Sequence, residues 1–570
     1  MTAARLRLGP FFAGAFLILV YIQLAGVQPF RATAGREFIF ISGDELRFWL
    51  AHWLIAAPGL MLLAIGVSDS LGSVFGRIRK AADRLSPKHW GALSVVYFVL
   101  LVLAAALGRV LFLLDMPITD DENLVLFGAR MIANGDLAVP ILQPEGAFTE
   151  VFTYRHEGLV SAVEYPGGLF FRALSLVSGL GSLLYALVAA GTGLAVAASA
   201  RRLFGASGAL IAGAIWLVSP MAFSLAMTTH SHLVSRFFLA VSIWLYLRLL
   251  DGGRRPLFDG AVLAVTAGLA FLTRSVEAAC ILLPMAIHLI ALGRKDPRLR
   301  RAVAAATTVS VGVLALYALY NSATTGIWYL QARFGPGLHQ MTQNFDGSPF
   351  ERLGYNLGHN LLLLIVMALG PLGALLATLG LERKAVSTVL AGGIGLQIGC
   401  TLLYNDTGIH TVGPIHFSES LPALVLLATA GVLRVARWLR DHDAPLRVPA
   451  SLATGWLAAL GVMTVIHSFG LLGQASNNAM FFRAIENAGI ENAIVLGQRP
   501  NVFLRSHPVF KETGSWVHWF PPPDPYFRDS VLYARPNADV EQLRQRFPDR
   551  SLYRLHYARE GNPILIEALD

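Results

Sequence analysis

Apolar runs of about twenty residues recur along most of the chain, and a run of that length is what a helix needs to cross a bilayer. About thirteen can be placed, near 9–29, 48–67, 91–114, 178–200, 207–225, 232–250, 257–273, 275–293, 302–320, 358–380, 385–404, 418–436 and 449–471. Inside hydrocarbon a backbone has no water to bond to, so continuous apolar runs of this length can fold only as helices. Only 14% of the 570 residues are charged, against roughly 25% in soluble domains. The expected fold class is mostly α: a polytopic membrane protein of about thirteen transmembrane helices with a small C-terminal α/β domain outside the membrane.

The basic residues test this list. The net charge of +9 would suggest nucleic acid in a soluble protein. Here Lys and Arg collect in alternate short loops, as the positive-inside rule requires of cytoplasmic ones. With Arg5 and Arg7 inside, the loops in phase carry Arg77, Arg79, Lys80, Arg84 and Lys88, then Arg201 and Arg202, Arg254 and Arg255, and Arg294 to Arg301. Arg383 with Lys384, and Arg437, Arg440 and Arg447, continue the series. The expected partners are therefore membrane lipids, with no nucleic acid. The N-terminus is expected in the cytoplasm. The acidic stretch at 120–122, the 321–357 and 405–417 loops and the 475–570 tail are expected outside. Ala32-Thr33-Ala34 resembles a signal-peptide cleavage site, but the preceding apolar core exceeds the usual roughly 7–15 residues, so a retained span is expected. Cys280 and Cys400 both lie in apolar runs, which argues against a disulfide framework or a thiolate metal site.

Three segments follow: 1–90 with two spans, 91–474 as the main membrane domain, and 475–570 outside. In the tail the pattern predicts an amphipathic helix at 478–488, strands at 493–496, 530–533 and 564–566, a rigid Pro521-Pro522-Pro523 loop and a short helix near 539–546.

Asp120, Asp121 and Glu122 stand together where the third run leaves the membrane. Carboxylates there are costly and call for a function. Asp120 is placed to cap a helix starting near Glu122, which leaves two acids able to hold a metal, bind a hydroxyl or share a proton so that one serves as a base.

Asp121-Glu122, Ala129-Arg130 and Gly135 at this spacing resemble the first outer loop of the GT-C glycosyltransferases, which use polyprenyl-phosphate-linked sugars and include protein O-mannosyltransferases and lipid A aminoarabinose transferases. Further stretches are similar: Glu164-Tyr165-Pro166-Gly167-Gly168 to a "YPP" segment, Ser231-His232 at a span's start, Leu272-Thr273-Arg274-Ser275 to "LTRP", 321–326 (NSATTG) to "N-x-x-x-T-G", Gly413 to Leu424 to "GPRYxxExLPAL", and Phe547-Pro548-Asp549-Arg550 in the tail. The likeness runs from about 90 to 435. Ile415-His416 stands where the family often has Arg-Tyr, and Ser275 where it has Pro.

The resemblance implies an inverting transfer from a lipid-phosphate sugar to a hydroxyl of a lipid, glycan or protein at the outer face of a bacterial inner membrane. Asp121 would be the base, Glu122 would bind the acceptor or orient Asp121, and Asp120 completes the acidic set. Glu164 and Tyr165 join the substrate-binding residues. The leaving phosphate needs cations, and a guanidinium fork suits it: Arg274 first by its motif, then Arg236 and Arg333, each of which could instead snorkel at the interface. Arg130 reads as an ion-pair partner. His230, His232 and His416, among several outer histidines, are expected to hydrogen-bond the donor. No His-x-x-x-His pair appears, so the metal question stays open, with a divalent ion possible and no other cofactor implied. The aromatic 327–357 loop, with Gly335-Pro336-Gly337, could anchor at the interface or close over the sugar. Glu277, three residues after Arg274, could pair with it. Two rival readings share the composition: a transporter or flippase, which would place charge at the midplane of its spans, and a polysaccharide polymerase or ligase.

Overall fold

The computed structural model describes residues 7–26, 49–84, 86–148, 153–253, 255–332, 338–339, 353–354, 356–381, 385–402, 412–442, 447–497, 522–556 and 565–569, with positions 348, 350 and 445. Helices come first: α1 (Leu8–Gly26), α2 (Trp49–Gly66), α3 (Ser68–Arg84), α4 (Pro87–Leu113) and α5 (Asp120–Ala133). Short strands β1 (Val139–Pro140), β2 (Thr153–His156) and β3 (Leu159–Ala162) lead into α6 (Pro166–Val177), α7 (Ser182–Val218) and α8 (Pro220–Ala226). The membrane bundle continues with α9 (Ser231–Leu250), α10 (Pro256–Thr273), α11 (Ser275–Gly293) and α12 (Pro297–Thr325). After β4 (Leu338–His339) come α13 (Leu362–Ala368), α14 (Gly370–Leu379), α15 (Ala385–Leu402), a 3-10 turn (Ile415–Ser420), α16 (Leu421–Asp441) and α17 (Arg447–Asn487). The tail holds β5 (Ala493–Leu496), β6 (Val531–Ala534), α18 (Val540–Arg546), β7 (Ser551–His556) and β8 (Leu565–Ala568).

Among the described residues ten helices are long and apolar enough to span, or eleven if the bent pair α13–α14 is one span. Two features relate this to the expected thirteen. The run of α1 is shorter than those ten. The 37 residues of α7 break at Gly205 (φ 73°, ψ −161°). A straight helix would hold Gly193 and Trp216 about 34 Å apart, yet a Cβ on Gly193 would stand 2.8 Å from Trp216 Cδ1. The segment is thus two antiparallel limbs folded back at a residue whose positive φ suits glycine.

Between α13 and α14 the chain turns by 94°. The carbonyls freed there are met by side chains: Ser219 Oγ donates to Ala368 O (2.7 Å) and Trp456 Nε1 to Leu369 O (2.9 Å). A bend inside hydrocarbon survives only with such replacement bonds. Lipid-facing surfaces remain apolar, as on α4, where Val95, Val99, Leu103, Val110 and Leu111 are exposed.

Two small sheets gather at one end of the bundle. The first has the antiparallel order β1-β3-β2-β4, with Thr153 opposite Ala162 and His339. The second has the order β6-β5-β7-β8; β5 is buried and runs parallel to β6 and β7, with Ile494 opposite Leu532 and Leu552. One apolar core unites them: Leu124, Phe127, Met131, Val139, Phe148 and Val160 from the first loop meet Ile494, Leu496, Leu532 and Leu552 from the tail. Polar contacts add to it. Arg130 Nη1 lies 2.9 Å from Asp529 Oδ2, Arg528 Nη1 donates to Asn134 Oδ1 (3.0 Å), and Tyr526 bonds Asp136. The loops rich in Arg lie at the other end, where Arg447 meets Asp69 (2.7 Å) and Arg202 meets Asp251 (2.8 Å).

Several expectations are corrected. The last span and the amphipathic helix are one helix, α17, with no loop between them. The NSATTG segment is the final turn of α12, closed by left-handed Gly326 (φ 75°). β1–β4 and β7 were not anticipated. Pro521 and the Gly335-Pro336-Gly337 part of the 327–357 loop lie outside the described residues.

Candidate active site

The α5 helix begins at Asp120 because Thr119 caps it, its Oγ1 accepting from Glu122 N (3.4 Å). The cap is therefore one residue earlier than Asp120, whose side chain lies outside the described residues. Glu122 closes the same turn from the other side. Its Oε2 accepts from Ile118 N (2.9 Å), and its Oε1 accepts from Thr229 N (2.7 Å) and Thr229 Oγ1 (2.8 Å). Arg109 Nη1 stands 3.6 Å from the same oxygen. Burial alone would raise this carboxyl's pKa; Arg109, His230 and the two backbone N–H groups outweigh burial and hold it below the usual range. Glu122 thus spends both oxygens fastening α5 to α4 and to the 228–230 loop. Arg109 was missed in the sequence, although a lone arginine inside an apolar run is itself a signal.

Asp121 is buried beside it. Its Oδ2 lies 3.8 Å from Arg274 Nη2 and 4.0 Å from His230 Nδ1. Arg274 occupies the break between α10 and α11 (φ −152°, ψ 88°), where neither helix claims its backbone. Its side chain is fully buried. Nε donates to Ser231 Oγ (3.0 Å), and Nη2 lies 3.5 Å from Glu164 Oε1. Glu164 Oε2 accepts from Ser231 Oγ (3.4 Å). Tyr165 follows as the buried residue ahead of Pro166, the first residue of α6. His230 precedes α9 and pairs through Nε2 with Thr119 Oγ1 (2.8 Å). Four separate elements thus place an aspartate, a glutamate, a histidine and an arginine in one buried cluster at the end of the bundle that carries the sheets.

A second cluster adjoins it. His232 Nδ1 lies 2.9 Å from Glu419 Oε1, and His416 Nδ1 lies 3.0 Å from Glu277 Oε1. The two rings meet edge to face at 5.2 Å, and Ser418 Oγ donates to Glu419 Oε2 (2.9 Å). Glu277 therefore bonds His416, while the charge of Arg274, the partner its spacing suggested, also acts on it. The ligating atoms of His232, Glu277 and His416 lie within 4.8 Å of one another.

Not every expected residue joins these clusters. Arg236 is buried, but neither snorkels nor faces Asp121: it donates to Met221 O and Ala222 O (3.3 Å each) and lies over the Trp216 ring. It pins α8 to α9. Arg130 reaches Asp524 and Asp529 of the tail. Arg333 and His410, with the side chains of His339 and His359, lie outside the described residues.

In sequence, residues 171–321 match the dolichyl-phosphate-mannose-protein mannosyltransferase family. No curated protein matches the chain. In structure the chain resembles ArnT from Cupriavidus metallidurans in the apo state, with a TM-score of 0.53 and 14% identity over 84% of this chain and 98% of that one. The same enzyme bound to undecaprenyl phosphate is matched at 0.51 and 14% identity over 85% and 98%.

Proposed function

On the premise that the chain is a glycosyltransferase of the GT-C type, by its fold and its 171–321 segment, we propose that it moves a sugar from a polyprenyl phosphate to a hydroxyl acceptor at the outer membrane surface. The observation that carries this reading is the meeting of Asp121 and Arg274, 3.8 Å apart in a buried cluster at the end of the bundle opposite the arginine-rich loops. An attacking alcohol needs a base within hydrogen-bond reach, and a leaving phosphate needs a cation, for which guanidinium is suited.

In the proposed step the acceptor oxygen bonds the anomeric carbon from the face opposite the phosphate. The carbon–oxygen bond to phosphate breaks, and its electron pair leaves on the phosphate. The acceptor proton passes to an Asp121 oxygen. Phosphate is a weak base, so its departure needs no general acid. With one carboxylate acting and no carboxylate nucleophile, the anomeric centre inverts.

Arg274 takes the phosphate, and Glu164 and Ser231 hold it in place. His230 positions Asp121, and Glu122 fixes the turn that presents it. The lipid of the donor is supported by undecaprenyl phosphate in the similar ArnT and by the dolichyl phosphate in the matched family's name. We assign catalysis to 91–474, with 1–90 as an accessory two-span segment and 475–570 as an outer α/β domain. We place the protein in the bacterial inner membrane with a cytoplasmic N-terminus, on the phase of its basic loops.

The test is direct. Purified Asp121→Asn should insert and fold but transfer sugar about 10²- to 10⁴-fold more slowly; near-normal transfer would reject the base assignment. The intact-mass profile of lipid-linked and surface glycans, with and without the gene, should name donor and acceptor. Substrate flux across sealed vesicles without a transfer product would favour a transporter instead.

A further inference from the structure

We infer that His232, Glu277 and His416 form a binding site for one divalent first-row metal ion, with Zn²⁺ the best fit, and that the ion ties three elements together behind the Asp121–Arg274 cluster. The site's chemistry does not depend on the transfer reaction. It could be present in a protein that transfers nothing, and absent from one that does.

The donor set comes first. Two imidazoles and a carboxylate suit Zn²⁺, and three protein ligands leave a fourth position for water. Their ligating atoms lie within 4.8 Å of one another. Around a zinc with bonds of about 2.1 Å, ligands stand roughly 3.4 Å apart, so a closure of at most about 1.4 Å suffices. All three residues are buried, which separates this group from the acidic clusters common on surfaces.

The surroundings match a metal site as well. A ligating histidine almost always donates its other ring N–H to a carboxylate or carbonyl, which fixes the ring. Glu419 holds His232 Nδ1 in this way at 2.9 Å and is itself held by Ser418 Oγ at 2.9 Å. Gln397 Nε2 donates to the His416 carbonyl at 2.6 Å and steadies the turn that carries it.

Charge supplies an independent argument. Among the described residues, the two adjoining clusters bury the carboxylates of Asp121, Glu122, Glu164, Glu277 and Glu419 together. The two glutamates of the second cluster, Glu277 and Glu419, are met at hydrogen-bond distance by imidazoles, at 3.0 and 2.9 Å, and a buried carboxylate gains from a full positive charge beside it. One divalent cation would supply that charge where the two histidines and two glutamates meet.

The consequence is mechanical. His232 lies in the first turn of α9, Glu277 in the first turn of α11, and His416 in the 3-10 turn, 139 residues beyond Glu277. An ion shared among them clips segments that the chain connects only through long detours, and such clips stabilise most when the loop closed is long.

The test uses the full-length protein in detergent, free of any affinity tag. After purification and dialysis against a chelator, Zn²⁺ is returned, and bound metal is measured by mass spectrometry with thermal unfolding in parallel. About one tightly held Zn²⁺ per chain is expected, with a raised Tm, and no such response to Mg²⁺, which prefers all-oxygen sites. His416→Gln and Glu277→Gln should each lose the stoichiometric ion. Glu419→Gln should weaken it by about 10- to 100-fold, as loss of an outer hydrogen-bond partner does. Asp121→Asn should keep it. Co²⁺ in place of Zn²⁺ should show visible ligand-field bands that His416→Gln abolishes. The rival reading, two self-contained histidine–glutamate pairs, predicts wild-type protein that takes up no ion after chelation. That result overturns the proposal without any variant having to fold, as does retention of the ion in both His416→Gln and Glu277→Gln.

Discussion

Replacing Glu122 by alanine should loosen α5 without touching the reacting groups. The substitution strips the acceptor from three buried donors, Ile118 N–H, Thr229 N–H and Thr229 O–H, and removes the carboxylate 3.6 Å from Arg109. A buried donor left unmet costs about 1–3 kcal/mol. Breaking one side of a buried ion pair costs about 3–5 kcal/mol. Arg109 keeps Asp115 and the Met227 carbonyl, and the terms overlap, so a total of about 4 kcal/mol is expected. At about 1.4 kcal/mol per decade, this is roughly a thousandfold rise in local opening. Hydrogen exchange of the Leu124–Arg130 amides measures it, with the amides of α16 as an internal reference. Glu122→Gln, which keeps one carbonyl oxygen, should lose about half as much. The carboxyl is held below its usual 4.5, so its stabilising contribution is complete above that value and fades as pH falls through the lowered one. Protection of α5, corrected for intrinsic exchange, should stay flat above about pH 5 and decline in acid, and the decline should vanish in Glu122→Ala. A change of less than about tenfold at neutral pH would refute the fastening role.

Other outcomes follow from the same geometry. Asp121→Asn should lower transfer by about 10²- to 10⁴-fold, the usual worth of a positioned base, with α5 exchange unchanged. Arg274→Lys keeps the charge but loses the fork that reaches Ser231, Asp121 and Glu164; kcat/KM should fall by about 10- to 100-fold, the worth of a charged hydrogen bond. Arg130→Ala removes partly exposed pairs to Asp524 and Asp529, so the tail should lose only about 1 kcal/mol, read as a few-fold faster exchange in β5 and β7. Cysteines placed at Ser86 and Ser348, in a background lacking the exposed Cys400, should label from the cytoplasmic and outer sides respectively; outside labelling at Ser86 would overturn the orientation.

The spans were legible because membrane helices obey one dominant rule, and that rule survives at 14% identity to ArnT. Even the reversal at Gly205 could be read, since the apolar pattern pauses around Arg201 and Arg202. What escaped was set by contacts distant in sequence. The strands of the first sheet hold two to four residues, and β4 comes from 338–339. Such pieces carry no periodicity of their own. Thr119 outcompeted Asp120 as the cap because the helix starts one residue sooner than charge alone suggested. The partners of Glu277 and His232 lie 139 and 187 residues away, so no spacing rule could have joined them. Arg236 misled for a physical reason: a buried arginine can satisfy itself on helix-end carbonyls as well as on phosphate.

The merged core beneath the two sheets limits how such a chain can be re-engineered. Phe148 touches Phe527 and Phe547 from the tail, and Arg535 N–H donates to the Ala147 carbonyl (2.8 Å). Cutting before β5 would bare the greasy underside of α5 and leave the acidic turn without its floor. Grafting a foreign tail would succeed only if residues 120–162 travelled with it. For recombination the two stretches behave as one cassette, although more than three hundred residues of membrane helix separate them in the gene.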